Sequence, residues 1–357
     1  MPNKDMAGAG RRRAGRHRGL AAAALAAAAM ATAATAAACS PAPLKLGFVA
    51  ELAGRRSEPG VAARNGALLA IDRLKERGIR AELVVRNDGG QGAEAARLIA
   101  ELEAAGARLV IGPITSGVAT EALAAGAGRR GLILSPTANS MALADRDDGF
   151  FMLLPTAGAE AAALAAYAKG RGWSRPAGIM SAKNRVFTEN FLKSYGEGIG
   201  SFALMAELPA EASDYDGIAR RVAASGADSV VLALDVLDAA LMSQRLRRGG
   251  YAGPILSSDW AMARDLIANG GESVQGMLFA YLYDESSREA KSLAFVEGYA
   301  KRYGEEPSFS AYLGYEAVTT LAAAAEGGAD PMRVRRRLIE GRFEGLQGSF
   351  GFDAEGD

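Results

Sequence analysis

Residues 44–50 read LKLGFVA, a short and mostly apolar run that predicts a buried β-strand. An amphipathic stretch follows at residues 60–77, where Leu68, Leu69 and Ile71 fall on one face of a helix. This strand and this helix are the first unit of an alternation that continues through most of the chain.

The alternation occurs in two series of similar length. Strands are predicted at residues 81–86, 108–112, 132–135 and 151–154 in the first series, and at 177–180, 202–207, 229–234, 254–257 and 274–280 in the second. Helical segments separate them, which favours an α/β fold with two doubly wound parallel-sheet lobes. Ligands of open parallel sheets bind beyond the carboxyl ends of the strands. We therefore expect a cleft where the strand ends of the two lobes face each other.

The end of the chain has a different pattern. Residues 288–303, 310–326 and 331–340 predict consecutive helices, and residues 348–352 predict a last strand that enters a turn. No return strand follows, so we expect an unpaired strand edge and a truncated chain.

The first 38 residues have the pattern of an export signal. A basic cluster at residues 11–18 precedes an alanine-rich segment at 20–38, and small residues lead to Cys39, the one cysteine of the chain. The arrangement resembles a bacterial lipoprotein signal, in which the cysteine is lipidated and becomes the first residue of the mature protein. The alternative is an ordinary cleaved signal followed by a chance cysteine.

Charge and side-chain chemistry exclude several classes of protein. The chain has 41 basic and 41 acidic residues, and removal of the signal takes away six basic residues and one acid, which leaves a net charge near −5. No basic excess remains to bind nucleic acid. His17, the one histidine, leaves with the signal, so the mature chain lacks His- and Cys-based catalytic and metal sites. We expect a binding protein rather than an enzyme, with no cofactor and no metal.

Several short motifs identify a known family by their order and spacing. They are Leu46-Gly47-Phe48, GALLAI at 66–71, Asn87-Asp88, Val110-Ile111-Gly112-Pro113 with Ser116, Ser135-Pro136-Thr137, FSAYLGY at 309–315 and FEGLQG at 343–348. With these motifs the chain resembles the extracytoplasmic solute-binding proteins of ABC transporters, and more narrowly the type I leucine/isoleucine/valine-binding family.

The resemblance implies two lobes that close around a small ligand by a hinge of three crossovers, near residues 155–158, 281–284 and 328–331. The expected division is a signal at 1–38, a tether at 39–43, a first lobe of 44–156 with 283–329, and a second lobe of 157–282 with 330–357.

Residues after two strands of the first lobe suit a ligand carboxylate. Ser116 should cap a helix that begins at Gly117, and the free N–H groups of a helix N-terminus attract anions. The resemblance assigns this position to the α-carboxylate, whereas a plain N-cap is the alternative. It also implies that the backbone of Thr137 and the side chain of Asn139 hold both ends of an amino acid.

Residues of the second lobe suit the ligand ammonium. The resemblance assigns Asp259 to that role, opposite the carboxylate position, and the alternative is a helix cap. Trp260 beside it is either part of the cleft wall or a core residue.

Three further positions depart from the family pattern. Asp235 and Phe187, or Val186 before it, fall where the family has ligand-contacting tyrosines. Arg56, next to Arg55, follows the first strand and either binds a second carboxylate or is a solvated loop charge.

The sequence thus favours a monomeric receptor in the periplasm, attached to the membrane through lipid only. It would deliver an amino acid or related small carboxylate to the membrane subunits of an ABC permease. The alternative is a ligand-binding sensor or cell-envelope regulatory lipoprotein of the same fold.

Lipid attachment at Cys39 can be tested by fractionation. Cys39→Ser should move the protein from the membrane fraction to the soluble periplasmic fraction, because the acyl chains that hold it at the bilayer cannot be attached. Immunoblots of both fractions measure this, and a variant that stays with the membrane as the wild type does would contradict the lipoprotein interpretation.

Overall fold

The computed structural model describes residues 43–54, 56–210, 214–281, 283–284 and 286–357. The predicted export signal, Cys39 and Arg55 lie outside the described residues. Within the part of the chain that is described, none of the helices combines the length and the apolar character needed to cross a membrane.

A five-stranded parallel sheet with order β2-β1-β3-β4-β5 forms the first lobe. Its elements are β1 (Leu44–Ala50), α1 (Glu58–Glu76), β2 (Ala81–Asn87), α2 (Gly92–Ala104), β3 (Leu109–Ile111), α3 (Ser116–Ala124), β4 (Leu132–Ser135) and β5 (Phe150–Met152).

Strand β1 has buried side chains on both faces, as a central parallel strand requires. Leu46 and Phe48 belong to the core beneath α1, while Val49 belongs to the core beneath α2. Gly47 lets α2 pack closely on β1, because a Cβ atom at this position would lie 2.9 Å from Leu102 Cδ1 of α2.

The second lobe repeats the architecture with a five-stranded parallel sheet of order β10-β9-β8-β6-β7. Its elements are α4 (Ala157–Gly170), β6 (Pro176–Ser181), α5 (Arg185–Ile199), β7 (Leu204–Leu208), α6 (Tyr215–Ser225), β8 (Ser229–Ala233), α7 (Val236–Arg248), β9 (Ile255–Ser257), α8 (Arg264–Gly270) and β10 (Leu278–Phe279). Helices α4 and α5 cover one face and α6 and α7 the other. The predicted α/β fold with two parallel-sheet lobes is therefore confirmed.

After β10 the chain returns to the first lobe through α9 (Ala290–Tyr303) and α10 (Phe309–Ala324). Phe295 of α9 and Tyr312 of α10 share a core with Leu69 of α1. Helices α1 and α10 cross closely because glycine occurs on both sides of the crossing. A Cβ atom at Gly66 would overlap the carbonyl oxygen of Ala311, and one at Gly314 would overlap that of Ala63.

The C-terminal residues pack on the first lobe, so their assignment to the second lobe was wrong. Val334 and Leu338 of α11 (Pro331–Glu340) and the ring of Phe352 lie in the same core as Phe48. The Phe352 ring contacts Phe151 of β5 edge-to-face at 5.4 Å. The apolar stripe of α11 is buried directly after α10, which leaves no crossover at 328–331.

The last strand also differs from the expectation. Strand β12 (Gly348–Phe350) pairs antiparallel with β11 (Phe343–Gly345), so it has a partner that precedes it in the chain. The sequence pattern missed β11 because the segment is only three residues long.

Gly314→Ala should lower the free energy of unfolding by about 1–3 kcal/mol, since the added methyl group forces α1 and α10 apart. Urea denaturation measures this. Gly170→Ala, at a position with no atom within 4 Å of the added carbon, is the control and should leave stability unchanged or raise it slightly. Equal effects of the two substitutions would contradict the close-crossing argument.

Candidate functional site

A cleft of about 1070 Å³ lies between the lobes, at the carboxyl ends of the strands in both sheets. The described site residues predicted from the sequence all line it. They are Arg56, Ser116, Gly117, Thr137, Asn139, Phe187, Asp235, Asp259 and Trp260. The carboxyl ends of the strands thus bring together residues that are far apart in the chain. The roles of these residues toward a ligand stay predictions.

Ser116 joins two loops of the first lobe rather than capping a helix. Helix α3 begins at Ser116 itself, and its N-cap is Thr115, so the expected cap position was wrong by one residue. The Ser116 hydroxyl accepts hydrogen bonds from the backbone N–H groups of Asn139 and Ser140, each at 3.2 Å. The Ser116 hydroxyl supplies an acceptor for these two buried amides, which would otherwise have none.

Thr137 and Asn139 are likewise held by internal hydrogen bonds. Thr137 Oγ1 donates to the Ile114 carbonyl at 2.6 Å. Asn139 is 3% exposed, its Nδ2 donates to the Pro155 carbonyl at 3.3 Å, and its own carbonyl accepts from Ala157 N at 2.6 Å. Asn139 thus ties the predicted ligand loop to the segment that leads into the second lobe.

Asn184, which the sequence analysis missed, bonds the N-terminus of α3 from the opposite lobe. Its Oδ1 accepts from Gly117 N at 3.0 Å, at the place where a ligand carboxylate was predicted. Nearby, Ser140 Oγ donates to the Val186 carbonyl at 3.0 Å and accepts from Asn190 Nδ2 at 2.9 Å. Asn184 follows β6, so the strand-end rule could have identified it.

Phe187 and Trp260 form an aromatic wall on the second lobe. Their ring centroids are 6.0 Å apart at an interplanar angle of 74°, and Phe187 also stacks on Phe191. Phe187 is 3% exposed. Trp260 is half-buried and packs against the core of the second lobe, so it is both part of the cleft wall and a core residue.

Asp235 belongs to an ion-pair network that the sequence did not reveal. Its Oδ1 caps α7 by accepting from Asp238 N at 2.9 Å. Lys183 Nζ donates to Asp235 Oδ2 at 3.2 Å and to Asp238 Oδ2 at 2.6 Å. Asp238 also accepts from the Tyr215 hydroxyl at 2.7 Å. Lys183 is thereby neutralised, although it lines the cleft.

Asp259 is supported from behind by a second acid, Glu160 of α4. Asp259 N donates to Glu160 Oε1 at 2.8 Å, while Glu160 Oε2 is buried and has no hydrogen-bond donor among the described residues. Burial raises the pKa of both carboxyl groups, and the charge of Asp259 raises that of Glu160 further. The two carboxyl groups therefore titrate as a coupled pair, in which the charge of one disfavours the charge of the other.

The helix-cap alternative for Asp259 is not what the backbone shows. Asp259 is the first residue of a short 3₁₀-helix, Asp259–Ala261, and the N-cap is Ser258. The Asp259 side chain lies beside Glu160 and the cleft, and a hydrogen bond from the backbone N–H of Trp260 opposes the rise of its pKa.

Further carboxyl groups line the first lobe. Asp88 follows β2 and is 2% exposed; burial raises its pKa to about 6, and the charge of Glu51 adds to the rise. Glu58 lies in the first turn of α1, where burial raises its pKa to about 7; the charges of Asp265 and Glu305 add to the rise, and the Ser308 hydroxyl opposes it. Arg56 Nε lies 3.9 Å from Glu51 Oε2.

Two parallel-sheet lobes with polar loops around a shared cleft define a two-lobed ligand-binding protein. The family model for periplasmic binding proteins matches residues 43–357, and the chain belongs to this family. The family's members are extracytoplasmic binding proteins.

Known relatives agree with this assignment. The Leu/Ile/Val-binding protein homolog 3 of Brucella melitensis is 23% identical over 88% of this chain and 89% of its own. The branched-chain amino acid transporter substrate-binding protein LivJ of Streptococcus pneumoniae, solved with isoleucine, has a TM-score of 0.80 at 23% identity, covering 88% of this chain and 93% of its own. A solute-binding protein of an ABC transporter from R. palustris, solved with benzoate, has a TM-score of 0.76 at 19% identity over 88% and 91%.

Glu160→Gln should stabilise the protein more at pH 8 than at pH 5. The folded-state pKa of Glu160 lies above the value of 4.5 expected of an exposed glutamate, so its ionisation costs stability increasingly as the pH rises above about 4.5. The amide keeps an oxygen that can accept from Asp259 N and does not titrate.

Relative to the wild type, the variant should therefore gain stability as the pH rises from 5 to 8, because only the glutamate has to be ionised against its burial. Urea denaturation at both pH values measures it. Glu197→Gln, on an exposed position of α5, is the control with no expected pH dependence. A gain at pH 8 no larger than that at pH 5 would show that Glu160 is ionised in the folded protein.

Proposed function

We propose that this protein is the substrate-binding component of an ABC transporter and binds an amino acid or related small carboxylate in the cleft between its lobes. One observation carries the proposal: polar residues from the strand ends of both lobes line a single cleft large enough for such a ligand. The names of its relatives, which include Leu/Ile/Val-binding proteins, support the same ligand class.

Asp259 is the proposed contact for the ligand ammonium. Asp259 lines the cleft, and its backbone N–H donates to Glu160 Oε1 at 2.8 Å, which fixes its position; a ligand ammonium beside it would favour the charged carboxylate. Phe187 and Trp260 beside it provide apolar surface for the carbon chain of the ligand. A fixed charge next to an apolar wall suits an amino acid better than a neutral solute.

The carboxylate contact is proposed at the loops that contain Gly117 and Thr137. Because Gly117 N already donates to Asn184, a ligand carboxylate must exchange with the Asn184 side chain or bind beside it. A carboxylate has the advantage in this exchange, since it carries a full charge at a helix N-terminus and the amide oxygen does not.

The mechanism is binding, hinge closure and docking to a permease, without covalent chemistry. Lipid attachment at Cys39 would keep the receptor next to the membrane that contains the permease. We infer no catalytic role, because the part of the sequence after the predicted signal has neither a histidine nor, apart from Cys39, a thiol.

Asp259→Asn tests the ammonium contact. Removing the charge should weaken binding of an α-amino acid about 30-fold or more, because a buried charged pair that loses a partner costs about 2–5 kcal/mol and each 1.4 kcal/mol is about tenfold. Calorimetry with L-leucine and L-lysine measures the loss.

The analogues without an α-amino group, 4-methylpentanoate and 6-aminohexanoate, provide the comparison and should lose much less affinity. Asp216→Asn, an exposed acid of α6, is the matched control and should change nothing. Equal losses for each amino acid and its analogue would remove Asp259 from the binding model.

A further inference from the structure

The charge of the cleft is the feature that the proposed function leaves unexplained. Arg56 and Lys183 are the cations among its described lining residues. Lys183 is paired with Asp235 and Asp238, and the exposed Arg56 lies next to Glu51. The remaining carboxyl groups of the lining therefore have no basic partner among the residues that the structure describes.

Asp88 shows this on the first lobe. It is 2% exposed yet lines the cleft, and its Oδ1 accepts a hydrogen bond from Gly90 N at 2.8 Å. No described cation pairs with it. A buried carboxylate without a counter-charge is costly, and a cation in the cleft would remove that cost.

Glu58 and Asp265 show the same across the two lobes. Glu58 begins α1 of the first lobe, Asp265 lies in α8 of the second, and both line the cleft. Like charges that face one cleft from both lobes repel each other, and a cation in the cleft would relieve that repulsion.

The groups that would receive an anion are, in contrast, already occupied. Gly117 N donates to Asn184, and the Ser116 hydroxyl binds two backbone amides of its own lobe. A single carboxylate can compete for this position, but the two cations among the described lining residues, Arg56 and Lys183, already lie beside carboxylates. An acidic amino acid is therefore disfavoured.

We propose that the ligand is an amino acid with a cationic side chain, of the lysine, ornithine or arginine class, whose terminal cation is attracted by the carboxylates that line the cleft, with Glu58 of the first lobe and Asp265 of the second among them. This inference rests on the proposed function. Asp88 and Glu51 supply additional negative potential, and the aromatic wall of Phe187 and Trp260 packs on the aliphatic part of the side chain.

Titration calorimetry of the wild-type protein with L-lysine, L-arginine, L-leucine, L-glutamate and benzoate tests the inference at low ionic strength and at pH 8, above the pKa of Glu58. L-lysine or L-arginine should bind at least about tenfold more tightly than L-leucine, a difference of about 1.4 kcal/mol. Added salt should reduce the affinity for the cationic ligands more than that for L-leucine.

Glu58→Gln supplies the residue-level test. It should weaken binding of the cationic ligand about tenfold while the L-leucine affinity changes less than about threefold. Glu305→Gln, which removes an exposed charge near Glu58 that does not line the cleft, is the matched control.

The outcomes separate the two proposals. Tighter binding of L-leucine, L-glutamate or benzoate than of either cation would overturn the inference and leave the proposed function intact. No binding of any of these compounds would overturn both. A Glu58→Gln variant that binds L-lysine as tightly as the wild type would remove Glu58 from the cation site.

Discussion

The close crossing of α1 and α10 is the constraint on which the rest of the structure depends. Helix α10 follows the second lobe in the chain. Its contact with α1 through Gly66 and Gly314 therefore returns the chain to the first lobe and completes that lobe. The same contact fixes the N-terminal ends of both helices at the cleft, where Glu58 and Phe309 line it. Two glycines thus position residues of the site that lie far from them.

The sequence predicted the architecture well because burial on both faces of a parallel sheet leaves a strong apolar signal in the central strands, such as β1, β3 and β8. It failed for the C-terminal residues, since the stripe of Val334 and Leu338 fits any apolar surface and carries no information on which lobe it covers. The antiparallel pair β11 and β12 was missed in part for a similar reason: three-residue strands are too short for a periodicity.

Within the site, the strand-end rule placed the residues but not their partners. Glu160, Lys183 and Asn184 were missed because each acts through a residue distant in sequence: Asp259, Asp238 and Gly117. Such pairs depend on how the helices and loops pack, which a single sequence does not reveal. Ser116 and Asp235 line the cleft as expected, but the sequence did not show that they also bind backbone amides, because residue types that suit a ligand suit helix termini and loops as well.

The carboxylates of Glu58 and Asp265, which line the cleft from opposite lobes, have a consequence for selectivity. A negative cleft attracts every cation at long range, so encounter discriminates only by charge. Closure of the two lobes costs more free energy when the bound ligand has no cation near these groups. The closed state then opens faster. A cationic ligand and a neutral ligand of similar shape would accordingly differ mainly in the residence time of the complex. The repulsion between the acidic groups of the two lobes would make the neutral ligand dissociate faster.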